Sequence, residues 1–265
     1  MDKEVTMKFA AACFIVLMMI STVSADVVTR FLDYRHGEAD LRGYLAYDGS
    51  VHGARPGVLV IHDWMGEGPF DRVVSEKLAK MGYVAFSADI YGTGIRPKDS
   101  KEAGAQAGIY RKDRTLMRSR ADAALQVLLS SDLVDRTRVA AMGYCFGGGV
   151  TLELARSGAP LAGAVSFHGN LDTPDPADAK NIKARVLVMH GADDPNVPEE
   201  QVLAFQKEMR DAGVDWQFIA YGGAVHAFTN PAAGNDNSRG AAYNEKADRR
   251  SWQAMTMFFK EIFGK

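Results

Sequence analysis

Gly143-Tyr144-Cys145-Phe146-Gly147 sets a cysteine among glycines, with a β-type run before it and a helical pattern after it. That is the layout of a nucleophile elbow, in which the attacking side chain sits on a strained strand-to-helix turn and flanking side chains would strike backbone. The helix N-terminus that follows favours negative charge, so it stabilises a thiolate or an oxyanion. For the pentapeptide alone, a buried and inert cysteine in a glycine-rich turn is the competing explanation. Two further residues then arrive in the order nucleophile, acid, histidine. Asp194 follows the strand-like run Arg185 to His190; Asp193 competes with it, and either aspartate could instead cap a helix beginning near Pro198. His226 follows another strand-like run, within Gly222-Gly223-Ala224-Val225-His226-Ala227-Phe228. Together the three predict a nucleophilic triad that works through a covalent acyl-enzyme.

The elements that must position these residues alternate in type. Val27 to Arg35 and Leu41 to Tyr47 read as an opening antiparallel pair. Gly57 to His62, Tyr83 to Ala88, Arg138 to Tyr144, Ala162 to His168, Arg185 to His190 and Asp215 to Tyr221 read as further strands. Helical patterns cover Asp71 to Lys80, Asp113 to Ser130, Gly148 to Ser157, Pro198 to Ala212 and about Ala242 to Phe263. Asn170 to Ala184 is a long surface loop. Strands alternating with helices predict an α/β fold, a mostly parallel sheet with helices on both faces. At 265 residues, 47% of them hydrophobic, one large domain can bury its own core. A net charge of −2 gives no basic surface on which to expect nucleic acid. Neither a zinc-type cluster, a G-x-G-x-x-G nor a P-loop stands in the sequence, so no metal or organic cofactor is expected.

Residues 1–25 read as a secretory signal peptide. Lys8 precedes the apolar run Phe9 to Ile20, and Val23-Ser24-Ala25 offers small residues before Asp26. That run is too short to span a bilayer, where about 20 residues are needed, and an uncleaved N-terminal anchor is the competing explanation. The domain proper is therefore 26–265, exported to a periplasmic or secreted location and free of the membrane once the signal is removed. Of two cysteines, Cys13 and Cys145, the exported domain keeps only Cys145. A lone thiol cannot form an internal disulfide, so it is either inert or kept for chemistry.

At these residues the chain resembles the dienelactone hydrolase family, cysteine-dependent members of the α/β-hydrolase superfamily. The pieces are Val58 to Gly66, Gly82-Tyr83-Val84-Ala85, Ala88-Asp89-Ile90-Tyr91-Gly92, Gly143 to Gly149, Asp194 to Pro198 and His226-Ala227-Phe228. The resemblance implies Cys145 as nucleophile, His226 as general base and acid, and Asp194 as the residue that orients the imidazole. It implies an oxyanion hole from the backbone N–H groups of Phe146 and Trp64. Where family members often carry a glutamate that helps to deprotonate the cysteine, this chain has Asp63, one methylene shorter, which could take that part or only order its loop through a hydrogen bond. The two arginines that hold the substrate carboxylate in dienelactone-cleaving members are absent; the corresponding stretches read Tyr91-Gly92-Thr93-Gly94 and Asn230. Tyr91 and Arg96 are candidate substrate contacts. The basic group Arg111, Arg114 and Arg118 could replace the missing arginines or form a solvated helix face.

The expected function is hydrolysis of a small-molecule ester or lactone by a monomer or small homo-oligomer. An exported redox or sensing thiol is one alternative, though no resolving cysteine remains in the domain. A non-catalytic binding protein on a hydrolase fold is another. Loss of ester turnover in Cys145→Ala separates the first from both.

Overall fold

The alternating runs build one eight-stranded sheet in the computed structural model, which describes residues 26–264. The proposed signal peptide lies outside the described residues. Strands β1 (Val27–His36) and β2 (Ala39–Asp48) form the expected antiparallel hairpin, and β2 runs antiparallel to β4 (Val84–Ala88). β3 (Arg55–Ile61), β4, β5 (Val134–Tyr144), β6 (Gly163–Phe167), β7 (Arg185–Gly191) and β8 (Trp216–Tyr221) are parallel. The order is β1-β2-β4-β3-β5-β6-β7-β8. The central strands are buried on both faces, which is why they read as continuous apolar runs.

Alternate residues feed two cores. Leu59 and Ile61 of β3 face helices α2 (Ser100–Lys112), α3 (Arg114–Leu129), α4 (Phe146–Arg156) and α5 (Glu199–Ala212). Val58 and Val60 face the opposite layer, built by α1 (Pro69–Lys80) and α6 (Glu245–Phe263). Among the described residues no helix is long and apolar enough to cross a membrane.

Three readings of the sequence need correction. Helix α2 was not anticipated. Its buried face is only Ala103, Ala107 and Tyr110, and Gly104 and Gly108 lower its propensity, so it carries little apolar signal. Asp99 starts it by accepting from the N–H groups of Lys101 and Glu102. The loop expected over 170–184 contains a 3-10 turn, Pro176–Asn181. Finally, the basic group is not a solvated face, and two of its three guanidiniums are paired with carboxylates. Arg114 pairs with Asp172 at 2.6 Å, and Arg111 donates to the Asn170 amide oxygen at 2.9 Å. Arg118 bridges Glu153 at 2.8 Å and Asp178 at 2.6 Å.

Arg118 thereby joins a buried network centred on Arg156. The Arg156 guanidinium meets both oxygens of Glu208 at 2.8 Å, Glu153 at 3.0 Å and the Leu171 carbonyl at 3.0 Å. It ties the end of the helix that follows Cys145 to α5. Removing one partner strands the other charges in a dry interior, which costs more than the pair contributes. Arg156→Ala is therefore expected to lower unfolding free energy by about 3–5 kcal/mol in chemical denaturation.

Candidate active site

Cys145 stands between β5 and α4, at the N-cap position of a helix that starts at Phe146 instead of the expected Gly148 because the chain turns entirely at the cysteine. Its φ of 53° and ψ of −116° are strained for a residue with a Cβ. The neighbouring glycines make the turn possible. A Cβ at Gly143 would lie 2.2 Å from the Gly147 carbonyl oxygen, and one at Gly147 would lie 2.2 Å from the Ile61 oxygen. Strain recurs close by, at His168 (φ 41°) and Ala227 (φ 56°). Strain of this kind persists only where surrounding structure over-determines it.

The C-terminal ends of β7 and β8 bring the two distant partners to the thiol. Asp194 lies in the turn after β7 and His226 in the loop after β8. His226 Nδ1 donates to Asp194 Oδ2 at 2.8 Å, and Nε2 faces Cys145 Sγ at 3.0 Å. The His226 backbone is clamped by its own bonds, N–H to the Gly240 carbonyl and carbonyl from the Ala242 N–H. Asp194 uses its other oxygen to accept the Asn196 N–H at 2.8 Å. It does not cap the next helix, which starts after Pro198. Asp193 is exposed and accepts the Gly223 N–H at 3.0 Å, so it orders the loop before His226.

Burial opposes a charge on His226, but the adjacent Cys145 and Asp194 outweigh it and push its pKa up to about 10. The charge of Cys145 is the largest of the raising influences. With Cys145→Ser the hydroxyl is neutral while burial remains, so His226 is expected to titrate far below 10. Imidazole proton NMR across pH 5–11 reads this directly; an unmoved midpoint would mean that Cys145 does not act on His226.

Three comparisons place this chain among known proteins. The dienelactone hydrolase family profile matches residues 41–263. This chain belongs to the dienelactone hydrolase family. A Salmonella typhimurium relative, provisionally named a carboxymethylenebutenolidase, is 28% identical over 243 residues, covering 85% of this chain and 84% of its own. A dienelactone hydrolase-like promiscuous phosphotriesterase from metagenomic libraries is 41% identical, with a TM-score of 0.86 over 89% of this chain and 99% of that one. A Klebsiella pneumoniae structure, at 22% identity and TM-score 0.76 over 88% of this chain and 98% of that one, shares the fold.

The dienelactone hydrolase fold also places the remaining candidates. Phe146 is the first residue of α4, so its N–H has no acceptor within the helix. Trp64 lies in the loop after β3, and its carbonyl accepts the Tyr91 hydroxyl at 3.1 Å. Tyr91 is thus buried under the loop, stacked on Tyr110 and tilted on Phe146, and does not offer its hydroxyl to a substrate. Arg96 also departs from expectation: it donates to the Gly92, Ile95 and Glu67 carbonyls and pairs with the buried Glu67 and Asp89 carboxylates. Those bonds occupy the guanidinium inside the protein. Asn230 spends its amide oxygen on the N–H of Ala232. The Asp63 carboxylate accepts the Met65 N–H at 2.7 Å, and burial raises it while the His226 charge opposes the rise.

Two histidines were not singled out by the sequence. His168 accepts the Cys145 N–H on Nδ1 at 3.2 Å, so its Nε2–H donates to Thr229 at 2.8 Å. Burial holds it neutral, well below the usual histidine range. His62 directly follows β3 and lies against Tyr91 and Phe146. The available signal was positional: each follows a parallel strand at the sheet end where this fold collects its site.

Proposed function

We propose that this family member hydrolyses carboxylic esters or lactones through a thiol ester on Cys145, with His226 as acid and base and Asp194 orienting it. The observation that carries this is the unbroken line from Sγ to Nε2 at 3.0 Å and from Nδ1 to Oδ2 at 2.8 Å. His226 holds the proton of the Cys145 thiol, and the thiolate attacks the carbonyl carbon. The carbonyl electron pair moves to oxygen, where the N–H groups of Phe146 and Trp64 receive it. Collapse expels the alkoxide, which takes the proton from His226. Acylation also removes the negative charge that most favours imidazolium, so His226 becomes a base for the next step. It deprotonates water, which attacks the thiol ester, releases the acid and restores the thiolate.

Substrate class follows from which cations remain free. Arg96, Arg114 and Arg118 are paired with carboxylates, Arg111 is bonded to the neutral Asn170 amide, and Asn230 caps a turn. That favours a neutral ester or lactone over an anionic dienelactone. Neutral phosphotriesters form a second class, supported by the activity named for the 41% identical relative. A panel of aryl esters, lactones and aryl phosphotriesters, assayed with wild type and Cys145→Ala, tests the reading. Expected is Cys145-dependent cleavage of neutral carboxylic esters; equal turnover by both proteins would refute it. Export, with residues 1–25 removed, belongs to the same proposal. N-terminal sequencing of the exported protein should begin at Asp26.

A further inference from the structure

His62 is fully buried and stands outside the line from thiol to carboxylate. Its ring lies nearly parallel to Phe146, with centroids 5.9 Å apart, and meets Tyr91 edge-on at 4.7 Å. The N–H of Ile90 donates to Nε2 at 3.2 Å, which makes Nε2 an acceptor. A neutral imidazole with one accepting nitrogen carries its proton on the other. Nδ1–H therefore donates to the Asp63 carbonyl, at 2.6 Å.

That carbonyl shares a planar trans peptide unit with the N–H of Trp64, and the two point in opposite directions. Fixing the oxygen therefore fixes the aim of the N–H. The Gly66 N–H adds a longer bond to the same oxygen, at 3.3 Å. The peptide unit on the other side of Trp64 is held through its own carbonyl by Tyr91, at 3.1 Å. Both peptide units that flank the Trp64 Cα are thus tethered. Donation into the Asp63 carbonyl also polarises the amide and strengthens its N–H as a donor.

We propose that His62 is a positioning residue for the oxyanion hole, aiming the Trp64 N–H through the Asp63 carbonyl. The proposal rests on the thiol-ester reading above. It separates His62 from His226: His62 moves no proton, and its effect is confined to steps that place negative charge on the carbonyl oxygen.

The test compares two variants in two reactions of Cys145. In His62→Gln the side-chain oxygen can still accept from the Ile90 N–H, but no donor reaches the Asp63 carbonyl. In His62→Asn the amide nitrogen occupies nearly the place of Nδ1 and restores that donor. Hydrolysis of an aryl ester develops an oxyanion, whereas alkylation by iodoacetamide displaces iodide from carbon and develops none. Loss of a whole oxyanion donor costs about 10²–10³ in kcat. A misaimed one in His62→Gln is expected to cost roughly 10- to 100-fold in kcat, with KM and alkylation rate within about threefold of wild type. His62→Asn is expected to recover at least half of that loss on a logarithmic scale. Ester turnover by His62→Gln within threefold of wild type, or ester and alkylation rates falling in parallel, would overturn the proposal. If His62→Gln does not fold, a hundredfold loss of kcat in folded His62→Asn overturns it. The underlying reading fails separately, through ester turnover that survives Cys145→Ala.

Discussion

Cys145→Ala and His226→Ala are each expected to reduce ester turnover by about 10⁴–10⁶ while leaving the protein folded, with the unfolding transition of Cys145→Ala near that of wild type. The size follows from roles that cannot be shared. Without Sγ there is no atom to form the acyl bond, and without Nε2 nothing takes the thiol proton or activates water. Little stability is at stake, because Cys145 occupies a strained φ of 53° that alanine at best tolerates equally. Because Sγ and Nε2 act as one unit across 3.0 Å, the double variant should be little worse than either single one. Losses that add in log rate would show that the two residues act independently, and the triad would have to be abandoned.

Asp194→Asn is expected to lower kcat by about 10²–10⁴, and Asp193→Asn by less than about threefold. An amide at position 194 can present its N–H₂ to Nδ1 and force the proton onto Nε2, the wrong nitrogen for a base that must accept from sulfur. It also removes a negative charge that stabilises the imidazolium. Asp193 has no such contact; its carboxylate only accepts the Gly223 N–H. Steady-state rates with one aryl ester decide between the aspartates. The reverse ranking would transfer the orienting role to Asp193.

The triad was legible because its members combine chemistry with punctuation. Glycines mark the turn at Cys145, and strand-like runs end just before Asp194 and His226. Buried parallel strands are apolar on both faces, so their positions were also legible, within a few residues except at the early start of β5 at Val134. What escaped was carried by weak or non-local signals. Helix α2 buries mostly alanine, which gives almost no amphipathic contrast. The hydrogen bonds of His168 and His62 reach Cys145 and Ile90, partners 23 and 28 residues away, which no local pattern encodes. Arg96 read as a free cation because Glu67 becomes its neighbour only through the pairing of β3 with β4, and Asp89 only through the turns that follow β4. Charge in a sequence shows that a partner is needed, not whether it comes from substrate or from the protein.

The central claim is that a bond forms between Cys145 Sγ and the acyl group. Mixing the protein with an aryl ester, quenching in acid within milliseconds to seconds and weighing it by intact-mass spectrometry tests this directly. The account predicts a mass increase of one acyl group, located on the Cys145 peptide, formed in a burst with the released phenol and removed by neutral hydroxylamine as a thiol ester should be. Steady turnover with no adduct at any quench time, together with an active Cys145→Ala protein, would contradict it.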